Sequence, residues 1–162
     1  MSVFNADITY LNNIALLIAK FRVEINSYKG IQKNENIEFA KEEFNEYLNA
    51  GYPVFVYKEN DQCLGYLVCR IDNPVVWVES LYTLNEHRKK GIASALFDAA
   101  EQLAVSYGEE TLYIYVHPNN DGMIAFCNRK GYNVLNLLEI RKKYETEQIN
   151  EQIKVRNNIF CY

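Results

Sequence analysis

Proline and glycine are scarce in this chain, three and seven among 162 residues. That scarcity excludes a collagen-like or low-complexity chain, and no Pro/Gly/Ser stretch signals a linker. Long apolar runs are missing too; none approaches the ~18 residues that a membrane-spanning helix needs. The start, Met1 to Asp7, lacks the basic residues and apolar stretch of a secretory signal. Cations are not in excess. The 17 Lys and Arg against 21 Asp and Glu leave a net charge of −4, which argues against a nucleic-acid partner, because phosphate contacts need clustered basic residues. Metal-site spacing is absent as well. Cys63, Cys69, Cys127 and Cys161 make no Cys-x-x-Cys pair, and His87 and His117 are far from i, i+4, so no metal is expected. A chain of this length buries a core without disulfide staples, so the thiols read as reduced and the compartment as cytoplasmic.

Apolar content, at 49%, is ordinary for a globular protein, and 13 tyrosines stand out. A single domain over residues 1–162 is expected. From Thr9 to about Tyr28, Leu11, Ile14, Ile18, Phe21 and Ile25 recur at helical spacing. A second helix is predicted from Ile37 to Asn49, with Gly51 and Pro53 ending it. Pro53 to Tyr57 and Cys63 to Ile71 read as a hairpin, and Val75 to Leu84 as a third strand. A helix with Ile92, Ala95, Leu96, Ala99 and Leu103 inward ends at Gly108. Then follow a strand Thr111 to Val116, a short helix Asp121 to Lys130, a strand Val134 to Lys142, and a last strand within Ile153 to Phe160. This α/β order implies a mixed sheet with helices on its faces.

The chemically informative stretch is Val75 to Ser94. A strand feeding a glycine-bearing turn and then a helix leaves free backbone N–H groups at the helix start, where the peptide dipoles add positive charge. Arg88, Lys89 and Lys90 raise the local potential, and Gly91 lets a ligand approach the backbone. This suits a pyrophosphate; a basic turn with no ligand fits the spacing equally well. Neither the P-loop spacing nor Gly-x-Gly-x-x-Gly is present.

Arg88-x-x-Gly91-x-Ala93 after the strand Val-Glu-Ser-Leu-Tyr-Thr resembles the acetyl-CoA loop of the GCN5-related N-acetyltransferases. Val116 to Tyr132, with Asn120, Phe126 and Gly131-Tyr132 in order, resembles that family's second signature. The likeness covers about Pro53 to Arg141. It implies the acyl-CoA N-acyltransferase fold, an α/β fold with a central mixed, mostly antiparallel sheet of about seven strands flanked by helices and splayed at the CoA site, and acetyl-CoA as cosubstrate. By the same likeness, the backbone of Leu81, Tyr82 and Thr83 would bind the pantetheine arm. The loop and helix start, Arg88, Lys89, Lys90, Gly91, Ile92, Ala93 and Ser94, would bind the pyrophosphate. Asn120 would contact the CoA arm and Phe126 would pack near it.

Direct acetyl transfer needs a neutral amine, so a base near the acceptor helps. Glu79 interrupts the apolar run of its strand and is the candidate base; a structural glutamate in a splayed sheet is an equal reading. Cys127 stands where many members of the family place a tyrosine that protonates the thiolate. A thiol is shorter than a phenol, so Cys127 is assigned neither as acid nor as nucleophile, and both histidines read as solvated. The expected activity is acetyl transfer to a primary amine of a small molecule or peptide. The alternative is a non-catalytic acyl-CoA-binding sensor or regulatory module. In this fold the first two helices and the loop joining them form one wall of the acceptor pocket, and here that region carries Glu24, Glu35, Glu38, Glu42, Glu43 and Glu46. Those carboxylates would attract a cation, although Glu38, Glu42 and Glu46 at i, i+4 also fit a plain solvated face. The tail from Tyr144 would complete the sheet or pair across a homodimer.

Overall fold

The computed structural model describes residues 2–145 and 147–162. Its internal contacts divide the chain into two compact units. The first holds the residues up to Ser27 and Ile31–Tyr115; the second holds Tyr28–Gly30 and Val116–Tyr162. No helix among the described residues is long and apolar enough to cross a membrane.

In the first unit, β1 (Ser2–Asn5) leads through a 3-10 turn, Ile8–Tyr10, into α1 (Leu11–Tyr28) and α2 (Ile37–Asn49). The sheet strands β2 (Val54–Glu59), β3 (Gln62–Asp72) and β4 (Val75–Thr83) follow, then α3 (Ile92–Ser106) and β5 (Tyr113–Ile114). The sheet order is β1-β2-β3-β4-β5. Three pairings are antiparallel and the last, β4 with β5, is parallel. The sheet therefore has five strands, not about seven.

Two elements depart from the sequence expectation inside this unit. β1 is an added edge strand, too short and too polar at its ends to show a period. The expected strand Thr111 to Val116 is reduced to a two-residue ladder, because its register with β4 ends at Val78↔Ile114.

Burial explains the layers. β3 is buried without a break from Cys63 to Cys69, as a central strand covered on both faces must be. In β4 the buried positions alternate: Val76, Val78, Ser80 and Tyr82. Phe21 of α1 meets Tyr66 and Tyr82 edge to face, with ring centroids 6.2 and 6.3 Å away. The neighbouring Gly65 faces the other way. A Cβ there would lie 2.8 Å from the Tyr82 carbonyl oxygen and 3.2 Å from Ile92 of α3. α1 and α3 thus cover opposite faces, and glycine is required where α3 lies against β3.

Between α1 and α2, Glu43 is buried and bound through both oxygens by Arg22, with the Tyr47 hydroxyl donating to the same carboxylate. Burial and that carboxylate push the Tyr47 phenol well above its usual range. A buried carboxylate is tolerated only when paired and hydrogen-bonded in this way.

In the second unit, α4 (Asp121–Arg129) is followed by a hairpin of β6 (Gln152–Val155) and β7 (Asn158–Cys161). The expected last strand is thus two short ones, turned at Arg156, whose φ is 55°. They pair with each other and form a separate sheet. The expected strand Val134 to Lys142 forms no ladder. Its apolar residues fall in doublets, Val134-Leu135 and Leu137-Leu138, which break the alternation of a one-sided strand. They are exposed, Val134 at 85%.

Candidate active site

The site is built where β4 loses its neighbour and turns into α3. Val68 and Cys69 of β3 oppose Ser80 and Val78, so Glu79 is an extra, bulged residue in β4. A bulge bends its strand and disrupts the local ladder. The β5 register ends one residue earlier, at Val78. Beyond that point no described strand of the first unit pairs with this edge of β4.

Which backbone groups the open edge presents follows from the alternation of an antiparallel ladder. Leu84 N donates to Leu64 O at 3.0 Å, next to the register pair Gly65↔Thr83. Leu84, Tyr82 and Ser80 therefore bond toward β3, while Leu81 and Thr83 aim their amides and carbonyls at the open side. Of these, the Thr83 carbonyl accepts from Arg88 Nε at 3.1 Å. The Thr83 hydroxyl is buried without a hydrogen-bond partner among the described residues. Tyr82 is buried, and the Arg88 guanidinium lies 5.5 Å above its ring.

Arg88 thus fastens the loop. Its Nη2 also reaches Glu24 of α1. Its charge is shared with Glu24 and Thr83, and beside it Lys89 and Lys90 are exposed. Lys89 and Gly91 both have positive φ, 61° and 86°. Left-handed residues alternating in a turn point successive N–H groups into one concavity, the geometry of an anion nest. Gly91 is the N-cap of α3 and, having no side chain, caps nothing. The first helical bond runs from Ala95 N to Gly91 O at 3.0 Å. The amides of Ile92, Ala93 and Ser94 thus lack an intrahelical acceptor. Ile92 is buried against the sheet and anchors this first turn. Together these amides, the two lysines and the open β4 edge fit an extended ligand with a polyanionic head and an amide-bearing arm.

Glu79 stands at the other end of the open edge. Its carboxylate, 37% exposed, lies 3.3 Å from Arg70 Nε. Arg70 also binds Asp72 through Nη1 and lies 5.1 Å over the Trp77 ring. Sequence reading missed Arg70, although it is the one charge in the run Gln62 to Ile71. The acidic wall expected on α1, α2 and the loop between them is largely neutralised: Glu24 pairs with Arg88, Glu35 with Lys20, Glu38 with Lys41 and Glu43 with Arg22. Glu42 and Glu46 face solvent.

The remaining predicted residues belong to the second unit. Asn120 is the N-cap of α4; its Oδ1 accepts from Met123 N at 3.0 Å, and its own N–H donates to the His117 carbonyl at 2.8 Å. Phe126 is half-buried on α4. Cys127 beside it is buried, and burial pushes its thiol up, the opposite of an activated nucleophile. His117 is not simply solvated: its ring stacks on Tyr28 at 6.4 Å. No cluster of three or more metal-ligating side chains occurs among the described residues.

Comparison with known proteins places the chain in a family. The family described as Acetyltransferase (GNAT) matches residues 20–132. A probable N-acetyltransferase, san, from Drosophila melanogaster is 28% identical over 97 residues, 57% of this chain and 53% of the relative. The chain spans about half the length of that curated relative. Among solved structures, aminoglycoside N-acetyltransferase AAC(6')-Iy in complex with CoA superposes with a TM-score of 0.71 at 15% identity, covering 88% of this chain and 93% of that one. A ribosomal-protein-alanine N-acetyltransferase from Brucella melitensis biovar Abortus 2308 gives 0.67 at 13% identity, covering 89% and 100%. These two likenesses are of fold. The family match spans well over half of the residues and includes β4, the loop and α3: the chain belongs to the acetyltransferase (GNAT) family.

Proposed function

We propose that this domain transfers an acetyl group from acetyl-CoA to a primary amine of a small molecule or peptide, by direct attack of the neutral amine on the thioester. Acetyl-CoA supplies the activated acyl carbon and a thiolate leaving group. The observation that carries the reading is the start of α3, uncapped and set beside two exposed lysines and the open edge of β4. The amides from Lys89 to Ser94 hold the pyrophosphate, and the edge groups of Leu81 and Thr83 hold the pantetheine amides. Glu79 takes the proton that the acceptor ammonium must lose. Two structural relatives are named for acceptors of this class, an aminoglycoside and a ribosomal-protein alanine.

A thermal-shift titration tests the binding half. Acetyl-CoA at about 100 times Kd stabilises the fold by ~2.7 kcal/mol, and no shift with any CoA species would sink the reading. Thiol release from acetyl-CoA across an amine panel tests the chemistry. Binding without release across that panel turns the reading into an acyl-CoA sensor, which the buried thiol at Cys127 would then explain. Glu79→Gln is expected to lower kcat/KM by about tenfold to a hundredfold while acetyl-CoA affinity is kept. A wild-type rate in that variant removes Glu79 from the mechanism.

A further inference from the structure

Glu79, Asp72 and Trp77 surround one side chain, Arg70, and Tyr113 and Tyr115 extend the aromatic surface from Trp77. Nη1 of Arg70 donates to Asp72. Nε lies 3.3 Å from Glu79 Oε2, an ionic contact longer than a good hydrogen bond. The guanidinium sits 5.1 Å over the indole of Trp77. That indole stacks on Tyr115 at 4.9 Å and 16°, and tilts against Tyr113 at 5.1 Å. Tyr115 is 65% exposed and Asp72 is half exposed. A carboxylate beside the face of a tryptophan is the pair of groups that holds an organic cation. Here the pair already holds one, and it is the protein's own.

We propose that Arg70 is an internal stand-in for the acceptor ammonium. The acceptor enters as a cation, displaces Arg70 from Glu79 and lays its apolar part along Trp77 and Tyr115. Arg70 falls back on Asp72, the partner it already binds more closely. This rests on the reading of Glu79 as the group that meets the acceptor. The exchange is cheap because the pair given up is a long, part-exposed one, and such pairs contribute little. Two consequences follow for selectivity. A neutral or anionic acceptor gains nothing from the site, since it cannot replace the guanidinium. An amine next to a ring or an aliphatic chain gains more than a bare one, since the aromatic surface starts at the same carboxylate. Arg70 is thus a positioning residue, acting through Glu79.

Steady-state kinetics on the best amine of the panel tests this with two variants that pull in opposite directions. Arg70→Gln removes the competitor, so the KM for the amine falls by about fivefold while kcat changes less. Asp72→Asn removes the fallback, so KM rises by a similar factor. Asp72 is exposed, so this second variant keeps the test alive if Arg70→Gln misfolds. Arg70→Lys, which keeps a cation over Trp77, returns KM toward the wild-type value. A purely structural clamp across the β3–β4 hairpin would move both KM values the same way, or neither, and either result overturns the proposal. A readout free of turnover is the side-chain Nε–Hε resonance of Arg70, assigned by its loss in Arg70→Gln and followed as benzylamine is added. It shifts on binding if Arg70 is displaced. A resonance that stays fixed at saturating benzylamine overturns the proposal, whereas absent thiol release with every amine defeats the acetyl-transfer reading instead.

Discussion

The helices α2, α3 and α4 solve the same problem in two ways. Each begins with amides that have no intrahelical acceptor. At α2, Asn36 accepts from Phe39 N at 3.0 Å, and at α4, Asn120 accepts from Met123 N at the same distance. Each of those first turns also carries an acid, Glu38 and Asp121, where negative charge suits the helix dipole. At α3 there is neither a capping side chain nor an acid, and the two residues before the cap are lysines. The protein satisfies two helix starts from its own side chains. The third keeps its full positive end, and the flanking cations increase it. What distinguishes the loop proposed to hold CoA is therefore the groups left out as much as those put in.

The sharpest way to break the contrast is to give α3 an acid like the others have. Gly91→Asp places a carboxylate at the mouth of the nest. Nothing lies within 4 Å of a Cβ at Gly91, so the new side chain meets no neighbour; the positive φ of 86° strains the backbone, and Asp is among the residues that bear such a φ best. Acetyl-CoA affinity is expected to drop about 30- to 100-fold, some 2–2.7 kcal/mol, with the circular dichroism spectrum unchanged. Calorimetric titration checks it, and an unchanged Kd would mean that no anion sits at α3. Removing the flanking cations should matter less, because exposed lysines act through screened, long-range attraction. Lys89→Gln with Lys90→Gln is expected to weaken binding about tenfold at low salt, and to flatten the dependence of Kd on ionic strength. Asn36→Ala tests the capped partner in the comparison. It should cost about 1 kcal/mol in urea unfolding and leave acetyl-CoA affinity alone, because that cap serves only its own helix.

How much of this was legible in the sequence varies by region for physical reasons. α1, α2 and α3 were readable because their buried residues recur at three and four, as with Ile14, Leu17 and Ile18, or Leu96, Phe97 and Ala100. The Gly91 turn was readable as a helix start because a glycine follows the basic run just before the helical period begins. β5 was overestimated because residues 111–116 are strand-like in composition, while the ladder length is set by β4, which bulges at Glu79. Nothing local to 111–116 encodes that bulge. The tail was misread for a similar reason: Ile153 to Phe160 is apolar enough for a strand, but the Asn157-Asn158 pair follows a turn residue and folds it back on itself. The ion pairs were the least legible part. Arg70 with Glu79, Arg22 with Glu43 and Arg88 with Glu24 are 9, 21 and 64 positions apart, so no periodicity links them. The acidic count on α1 and α2 consequently suggested an attractive field that these partners neutralise.

The smallest expected effect concerns the turn into α4, and it separates the two capped starts, α4 and α2, by pH. The His117 carbonyl accepts from Asn120 N, and its ring Nδ1 accepts from Asn119 N at 3.2 Å. An accepting Nδ1 has no room for a second proton, so this turn is built around the neutral ring. Burial, with Lys29 and Arg141 nearby, holds the His117 pKa below its ordinary value. At neutral pH and above, the ring is neutral whether the turn is folded or open, and the full contribution is present. As pH falls below about 6.5, the open form takes up a proton before the folded one does, so stability of the turn declines until the folded pKa is passed. Amides at the start of α4 should then exchange faster at pH 5.5 than their intrinsic rates predict, relative to pH 7.5. His117→Gln, which offers an oxygen acceptor but cannot titrate, should abolish that slope. The amides of α2, capped by Asn36, should show no such change in either protein. Exchange at α4 that follows only the intrinsic rates would show that the ring nitrogen contributes nothing to the turn.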